Sequence, residues 1–513
     1  MTEIKQAIPS RVYNAATGGH VCGAEDIDFG SKVVHLVPSK TFEEQVTTAN
    51  TIYVIHDDFT LSSNISIPAN CVLEFDGGSI KGDVSYKNGL RIINKNSSYC
   101  IIDGRFLPYS STSYLANDAI ETKWFKSSIA TIEDESESIK LALQTIQGSY
   151  NVRTLLFEER TYNLSSIGDS FYRNIDMDFN GATINLVGTH IDYFFKVNMN
   201  DDGNKHIRMP MHIHNGRFCM NPEDWTNRDY ASIFSIGENA TYDVVDCLLS
   251  DLKFVYVGCV NSIIIGNYCA GLYIQRCNFQ EPSGFSCIRL NYNMPNSFVW
   301  HAIVRDCNIN GSSGVRYGIY SRAGSLYVED CALQGISDCA IYFEMISGTY
   351  PTEVINIANC YFEFNGCCIR NSSGSEMLST INVSSCIADL AYGPFMKVTD
   401  YAYGVIESCM FTNATGQTLY GPIMKDIPTA TYNRCEIVVQ DNNVNFTLTN
   451  IAGFSEGAIL EDSLLGIWGN NYGDSNRRPK LNNGCMYFDT SLTPPRPIWK
   501  TVNGWVDATG TPV

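Results

Sequence analysis

One short pattern recurs along most of the chain and limits what it can fold into. Eight cysteines, Cys247, Cys277, Cys307, Cys331, Cys360, Cys386, Cys409 and Cys435, sit in near-identical contexts 23 to 30 residues apart. Three consecutive examples read Leu272-Tyr-Ile-Gln-Arg-Cys277-Asn-Phe279, Ala302-Ile-Val-Arg-Asp-Cys307-Asn-Ile309 and Leu326-Tyr-Val-Glu-Asp-Cys331-Ala-Leu333. Apolar or small residues fall five and three places before the cysteine, at it, and two places after. That is a period of two on each side. The register slips by one between, where two mostly polar residues such as Arg305-Asp306 or Glu329-Asp330 intervene. A corner that turns one strand into the next produces such a slip.

The corner demands a small residue, whatever its chemistry. Gly78, Ala182 and Gly216 hold the equivalent place in Leu73–Ile80, Met177–Ile184 and Met211–Phe218. The cysteines are therefore read as small hydrophobes stacked inside a coil. A second strand follows about ten residues later: Cys287–Leu290, Gly318–Ser321, Ala340–Phe343, Cys368–Asn371, Phe395–Val398 and Ile423–Asp426. Coils of this length with two or three short strands are rungs of a right-handed, single-stranded parallel β-helix, an all-β fold.

The remaining segments give the expected domains. Residues 1–50 lack the period and read as an N-terminal attachment segment. Residues 51–130 hold the first rungs. The main β-helix runs over 131–464 with a short capping helix near 136–147, where Ile139, Ala142, Leu143 and Ile146 share one face behind the acids of 133–137. Residues 465–513, with Trp468, Trp499 and Trp505, read as a small C-terminal β-meander.

Composition excludes some classes. The 513 residues carry a formal net charge of −19 and are 44% hydrophobic and 17% charged. Wholesale disorder and long-range attraction to nucleic acid are both disfavoured. There is no uninterrupted apolar run of membrane-spanning length. Met1–Ser10 has no apolar core of the secretory type, so the expectation is a protein made in a cytoplasm that does not leave by that route. All 19 cysteines are then expected to be reduced. No Cys-x-x-Cys, Gly-x-Ser-x-Gly, phosphate loop or dinucleotide fingerprint is present. No cofactor is expected.

Two sets of motifs carry a resemblance. Trp124-Phe, Glu133–Ile139 and Thr154-Leu-Leu-Phe-Glu-Glu-Arg-Thr-Tyr162-Asn-Leu164 resemble the opening of pectate-lyase-like β-helix proteins, with Arg160 where those have glycine. Asn50–Phe59 with Ile67–Ile80, and Gly484–Thr490 with Pro497–Gly510, are similar to terminal cassettes of spike or fibre proteins from phages of gut Bacteroides-type bacteria. The resemblance implies a homotrimeric virion appendage assembled in a host cytoplasm. It further implies attachment to other virion proteins through the N-terminal segment, and contact with host-surface glycan. Two alternatives share the scaffold: a polysaccharide depolymerase, hydrolase or lyase, and a bacterial carbohydrate-binding protein.

Function then belongs to the outward columns, where side chains stack from rung to rung. One expected column is Arg289, Tyr320, Tyr342, Arg370, Lys397 and Lys425, cations and aromatics suited to a glycan. A second lies three places after the corner: Ser250, Gln280, Asn310, Gln334, Glu363, Asp389 and Thr412. Glu363 and Asp389 fall there on adjacent rungs with backbones about 5 Å apart, and glycosidase carboxyl pairs about 5.5 Å apart favour retention. His212 and His214 form a His-x-His pair with no further ligand evident, and read as a polar turn, so no metal site is expected.

Overall fold

A computed structural model describes most of residues 32–412 apart from short stretches, the longest being 198–209. It also describes isolated strands at 12–13 and 20–22 and between 419 and 489, and the segment 492–513. Trp468 and most of residues 1–31 lie outside the described residues. The chain divides into two compact units: residues 1–187 with 212–216, and residues 188–211 with 217–513.

In the first unit, three parallel sheets build the first coils: Val33–His35, Ile52–Ile55, Val72–Phe75 and Arg91–Asn94; Phe59–Thr60, Ile80–Lys81 and Ile102–Asp103; Ile65–Ile67, Val84–Tyr86 and Phe106–Pro108. Val33–His35 pairs in register with Ile52–Val54, so the coil reaches back before the expected boundary at residue 50. The helix spans Ser136–Gly148 and buries Ile139, Ala142, Leu143 and Ile146. It packs on Phe106–Pro108, whose sheet ends there, and Thr145 Oγ1 accepts the Phe106 amide at 3.2 Å. The helix therefore caps a sheet edge whose amide would otherwise lack a partner. Strands then resume with Thr154–Leu156, Asp176–Asp178 and Met211–His214.

The second unit is the regular β-helix. Its first face stacks Cys247–Ser250, Leu272–Gln275, His301–Arg305, Ser325–Glu329, Val354–Ala358, Ser379–Ser384, Ala402–Glu407 and Cys435–Gln440, each pair parallel. A second face of three-residue strands runs from Arg217–Cys219 to Met410–Thr412, and a third from Ile191–Val197 to Ile423–Lys425. Inside, Phe218, Phe254 and Phe279 stack at 5.4 and 4.9 Å, and Ile309, Leu333, Phe362, Ala388 and Phe411 continue their column. The tail forms a four-stranded sheet: Met486–Asp489, Arg496–Thr501 and Gly504–Asp507 are antiparallel, and Tyr472–Gly473 adds in parallel.

The corner is a single left-handed residue followed by the thiol. Arg276, Asp306, Asp330, Asn359, Ser385 and Ser408 have φ of 51° to 56°. All but the first are residue types that adopt this conformation readily or are small. Each following thiol, from Cys277 to Cys409, is buried and free, and its Sγ donates to the carbonyl two residues back, at 3.1 to 3.4 Å. Two expected corner cysteines are displaced. Cys247 pairs with Leu272 and Cys435 with Ala402, so both open first-face strands instead. In the rung of Cys247, the place opposite Cys277 belongs to Leu252, since Lys253 pairs with Asn278. Ser250 pairs with Gln275 on the first face, and Val255 takes its expected place opposite Gln280. Among the described residues, no helix is long and apolar enough to cross a membrane.

Candidate functional site

The third-face column forms as expected over five rungs. Arg289 pairs with Tyr320, Tyr320 with Tyr342, Tyr342 with Arg370, and Arg370 with Lys397. It ends there: Met424 stands opposite Lys397, and Lys425 pairs with Val398. The sequence pattern had aligned Ile423 with Phe395, whereas the ladder aligns it with Met396. One residue of slip removes Lys425 from the column. Its side chain lies outside the described residues.

The tyrosines are not open platforms. Tyr320 and Tyr342 are 6% and 9% exposed, because Tyr317 joins them from the neighbouring outward position. Tyr317 stacks on Tyr342 at 5.0 Å and 17°, Tyr320 lies 5.1 Å from Tyr342, and Phe285 meets Tyr317 and Tyr320 edge-on. Arginines cover the rings: Arg289 over Phe285 and Tyr320, Arg316 over Tyr317, Arg322 over Tyr320 and Arg370 over Tyr342. Two acids hold the guanidinium groups of Arg316, Arg370 and Arg322. Asp338 accepts from Arg316 Nε at 3.1 Å and Arg370 Nη1 at 3.5 Å. Glu344 accepts from Arg322 Nε at 2.8 Å and from the Tyr320 hydroxyl.

Burial first, and then the hydrogen bond to Glu344, push the Tyr320 phenol above its ordinary range. Burial and the Asp338 charge do the same to Tyr317. Both phenols rest protonated. They can donate hydrogen bonds but are poor bases, which counts against lyase chemistry at these two residues. What the cluster presents outward is a set of preorganised guanidinium donors.

The second-face acids lie on adjacent coils. Tyr361 pairs with Ile387 and Phe362 with Ala388, which brings Glu363 and Asp389 to successive rungs. Their surroundings differ. Glu363 is half-buried and hydrogen-bonded to Tyr361, whose phenol is raised by burial and then by that bond. Asp389 is only 4% exposed, and its Oδ1 accepts the Ala391 amide at 3.0 Å. Asp389 therefore closes a local turn.

Immediately beside these acids is a feature that sequence reasoning missed. Phe364 and Tyr392 are 43% and 48% exposed, with ring centroids 5.1 Å apart at 75°. Phe364 holds φ at 55°, an unfavourable conformation for a bulky residue. The corner of a nearby coil uses Gly335 in the same conformation. Glu363, Phe364 and Arg370 thus come from one coil, and Asp389, Tyr392 and Lys397 from the next. Acid, exposed aromatic and cation follow in the same chain order on both. The same left-handed place is held by Tyr256, Glu281 and Gly335 on other coils, so no local sequence signal singled out Phe364.

No protein-family model matches the chain, and no curated protein matches it. Among solved structures it is similar to tailspike protein 3 of bacteriophage CBA120, at 13% identity over 77% of this chain and 70% of that one, with a TM-score of 0.38. It is similar to the A-module of the mannuronan C-5 epimerase AlgE4 of Azotobacter vinelandii, at 10% identity over 67% of this chain and 100% of that one, TM-score 0.40. PfbA, a surface adhesin of Streptococcus pneumoniae, is 12% identical over 76% of this chain and 99% of that one, TM-score 0.40.

Proposed function

We propose that this chain is the glycan-binding β-helix of a phage virion appendage, a spike or fibre. In this reading it works as a homotrimer, attaches to other virion proteins through its N-terminal segment and binds polysaccharide on the host surface. The observation that carries the binding role is the exposed Phe364–Tyr392 pair, flanked by acids and by cations on both coils. Aromatic faces stack on the apolar face of a sugar ring, and a strained exposed aromatic is retained where it has work to do. Arg316, Arg370 and Lys397 favour an acidic polysaccharide, in a chain whose overall charge of −19 repels one elsewhere. The virion placement rests on the resemblance of the two terminal cassettes.

A second reading is a depolymerase acting through Glu363 and Asp389. Their adjacency favours it, and the burial of Asp389 weighs against it. One assay separates the two. The chain is incubated with host capsular polysaccharide, and bound sugar, new reducing ends and unsaturated products are measured. Binding without cleavage is expected. Cleavage that disappears in Glu363→Gln or Asp389→Asn would make the second reading the correct one. Sedimentation should show a trimer, and a stable monomer would contradict the appendage assignment.

A further inference from the structure

The His-x-His pair has partners that the linear sequence hides. Asp176–Asp178 and residues 212–214 pair as parallel strands within the first unit, with Asp176 opposite His212 and Asp178 opposite His214. Between them Met177 and Ile213 point inward and are fully buried. Four titratable side chains therefore share one outward patch. The two imidazoles stack at 3.9 Å and 15°, so they stand side by side on this patch. Asp176 Oδ1 lies 3.0 Å from His214 Nε2 and 3.5 Å from His212 Nδ1. Ligand atoms on one tetrahedral zinc ion stand about 3.3 Å apart, given bonds of about 2.0–2.1 Å. The two carboxylate–imidazole spacings are close to that value, and one ligand atom from each of the three residues lies within 4.8 Å of the others.

The surrounding bonds hold this set in place. Asp176 Oδ2 accepts from Thr154 Oγ1 at 3.5 Å, on the opposite side from the histidines. Asp178 Oδ1 lies 3.6 Å from His214 Nδ1, and is itself fixed by the Asn180 amide at 2.8 Å and Asn215 Nδ2 at 3.1 Å. A carboxylate behind the distal nitrogen is the arrangement that orients a metal-binding imidazole and raises its basicity. His214 is 14% exposed, whereas His212 and Asp176 are 37% and 44% exposed, so the remaining coordination positions open to water.

We infer that Asp176, His212 and His214 form a binding site for a divalent transition ion of the zinc type, with Asp178 positioning His214. Two imidazoles and one carboxylate suit zinc or its neighbours rather than calcium or magnesium, which take oxygen ligands. A bound ion would clamp two adjacent coils and keep open positions for an exogenous ligand.

The test is calorimetric titration of the full chain, freed of metal by chelator, with Zn²⁺. One equivalent per chain is expected. Affinity should fall at least tenfold in His212→Ala, His214→Ala and Asp176→Asn, with sedimentation and circular dichroism unchanged. Asp178→Asn should cost about tenfold, the usual effect of removing such a partner, and Asp178→Glu should restore part of it. Should the alanine variants misfold, His214→Gln, which keeps size and hydrogen bonding, makes the same comparison. A second histidine pair, His35 with His56 at 3.0 Å, stays intact in every variant and serves as the internal control. No saturable Zn²⁺ binding, equal binding by wild type and the His212 and His214 variants, or a preference for Ca²⁺ or Mg²⁺ would each overturn the inference.

Discussion

Two corners of the same coil meet different demands. The first, between the first and second faces, repeats almost unchanged: a left-handed residue, then a buried thiol, from Cys277 through Cys307, Cys331, Cys360 and Cys386 to Cys409. The second, between the second and third faces, varies from coil to coil. Glu281, Gly335 and Phe364 take the left-handed conformation there, and Phe364 and Tyr392 stand in solvent. The regular corner holds coil on coil, and every rung from Cys277 to Cys409 asks the same of it. The irregular corner is released from that requirement, and the exposed chemistry collects beside it. Perturbing the first should therefore change stability, and perturbing the second should change binding.

The largest expected effect is at the first corner. Cys331→Asp places a carboxylate where the native side chain is 3% exposed. It should cost about 3 kcal/mol or more, because an uncompensated buried charge carries that scale of penalty. Denaturant unfolding would measure it. Alkali should act on the same ladder. Hydrogen bonds to Cys307 and Cys360, then burial, push the Cys331 thiol up. At Cys386 the hydrogen bond with Cys360 lowers the pKa, but the bond with Cys409 and burial carry it up to about 12. Unfolded thiols ionise near 8.5, so the folded chain holds these protons longer. The stability they contribute is complete below about pH 8.5 and is lost as pH rises toward 12. The slope is up to about 1.4 kcal/mol per pH unit for each such thiol. Melting temperature should fall across pH 8.5 to 10.5, and less steeply when ladder cysteines are replaced by alanine. Near neutral pH, Cys331→Ala should cost only about 1 kcal/mol, since Ala182 already serves at an equivalent corner. The smallest effect has the opposite sign. Phe364→Gly should raise stability by roughly 0.5–1 kcal/mol through relief of the positive φ, while weakening glycan binding.

The fold was legible because the interior imposes one requirement repeatedly. A small residue at the corner and period-two flanks gave the coil and the direction of its side chains. Cys247 and Cys435 share the local pattern but not the register, because pairing is set by the whole ladder rather than by six residues. Lys425 left its column for the same reason. Outward positions were legible only as positions. That Tyr320 and Tyr342 are covered depends on Tyr317, which sits in the same strand as Tyr320 but in another outward column. The Asp176 partner of His212 and His214 comes from the preceding coil, across an intervening stretch of chain that no local spacing spans. Phe364 and Tyr392 lay between strands, where alternation says nothing.

The account rests most on the second corner as the place where glycan is bound. The direct measurement compares the affinity of the wild-type protein and the Phe364→Ala, Tyr392→Ala double variant for the same acidic host polysaccharide. Both rings are exposed, so the variant should keep its melting temperature within about 1 kcal/mol of stability. At least a tenfold loss of affinity, about 1.4 kcal/mol, is predicted. Unchanged affinity in a folded variant with the wild-type assembly state would contradict the assignment and return the search to the arginine-covered third face.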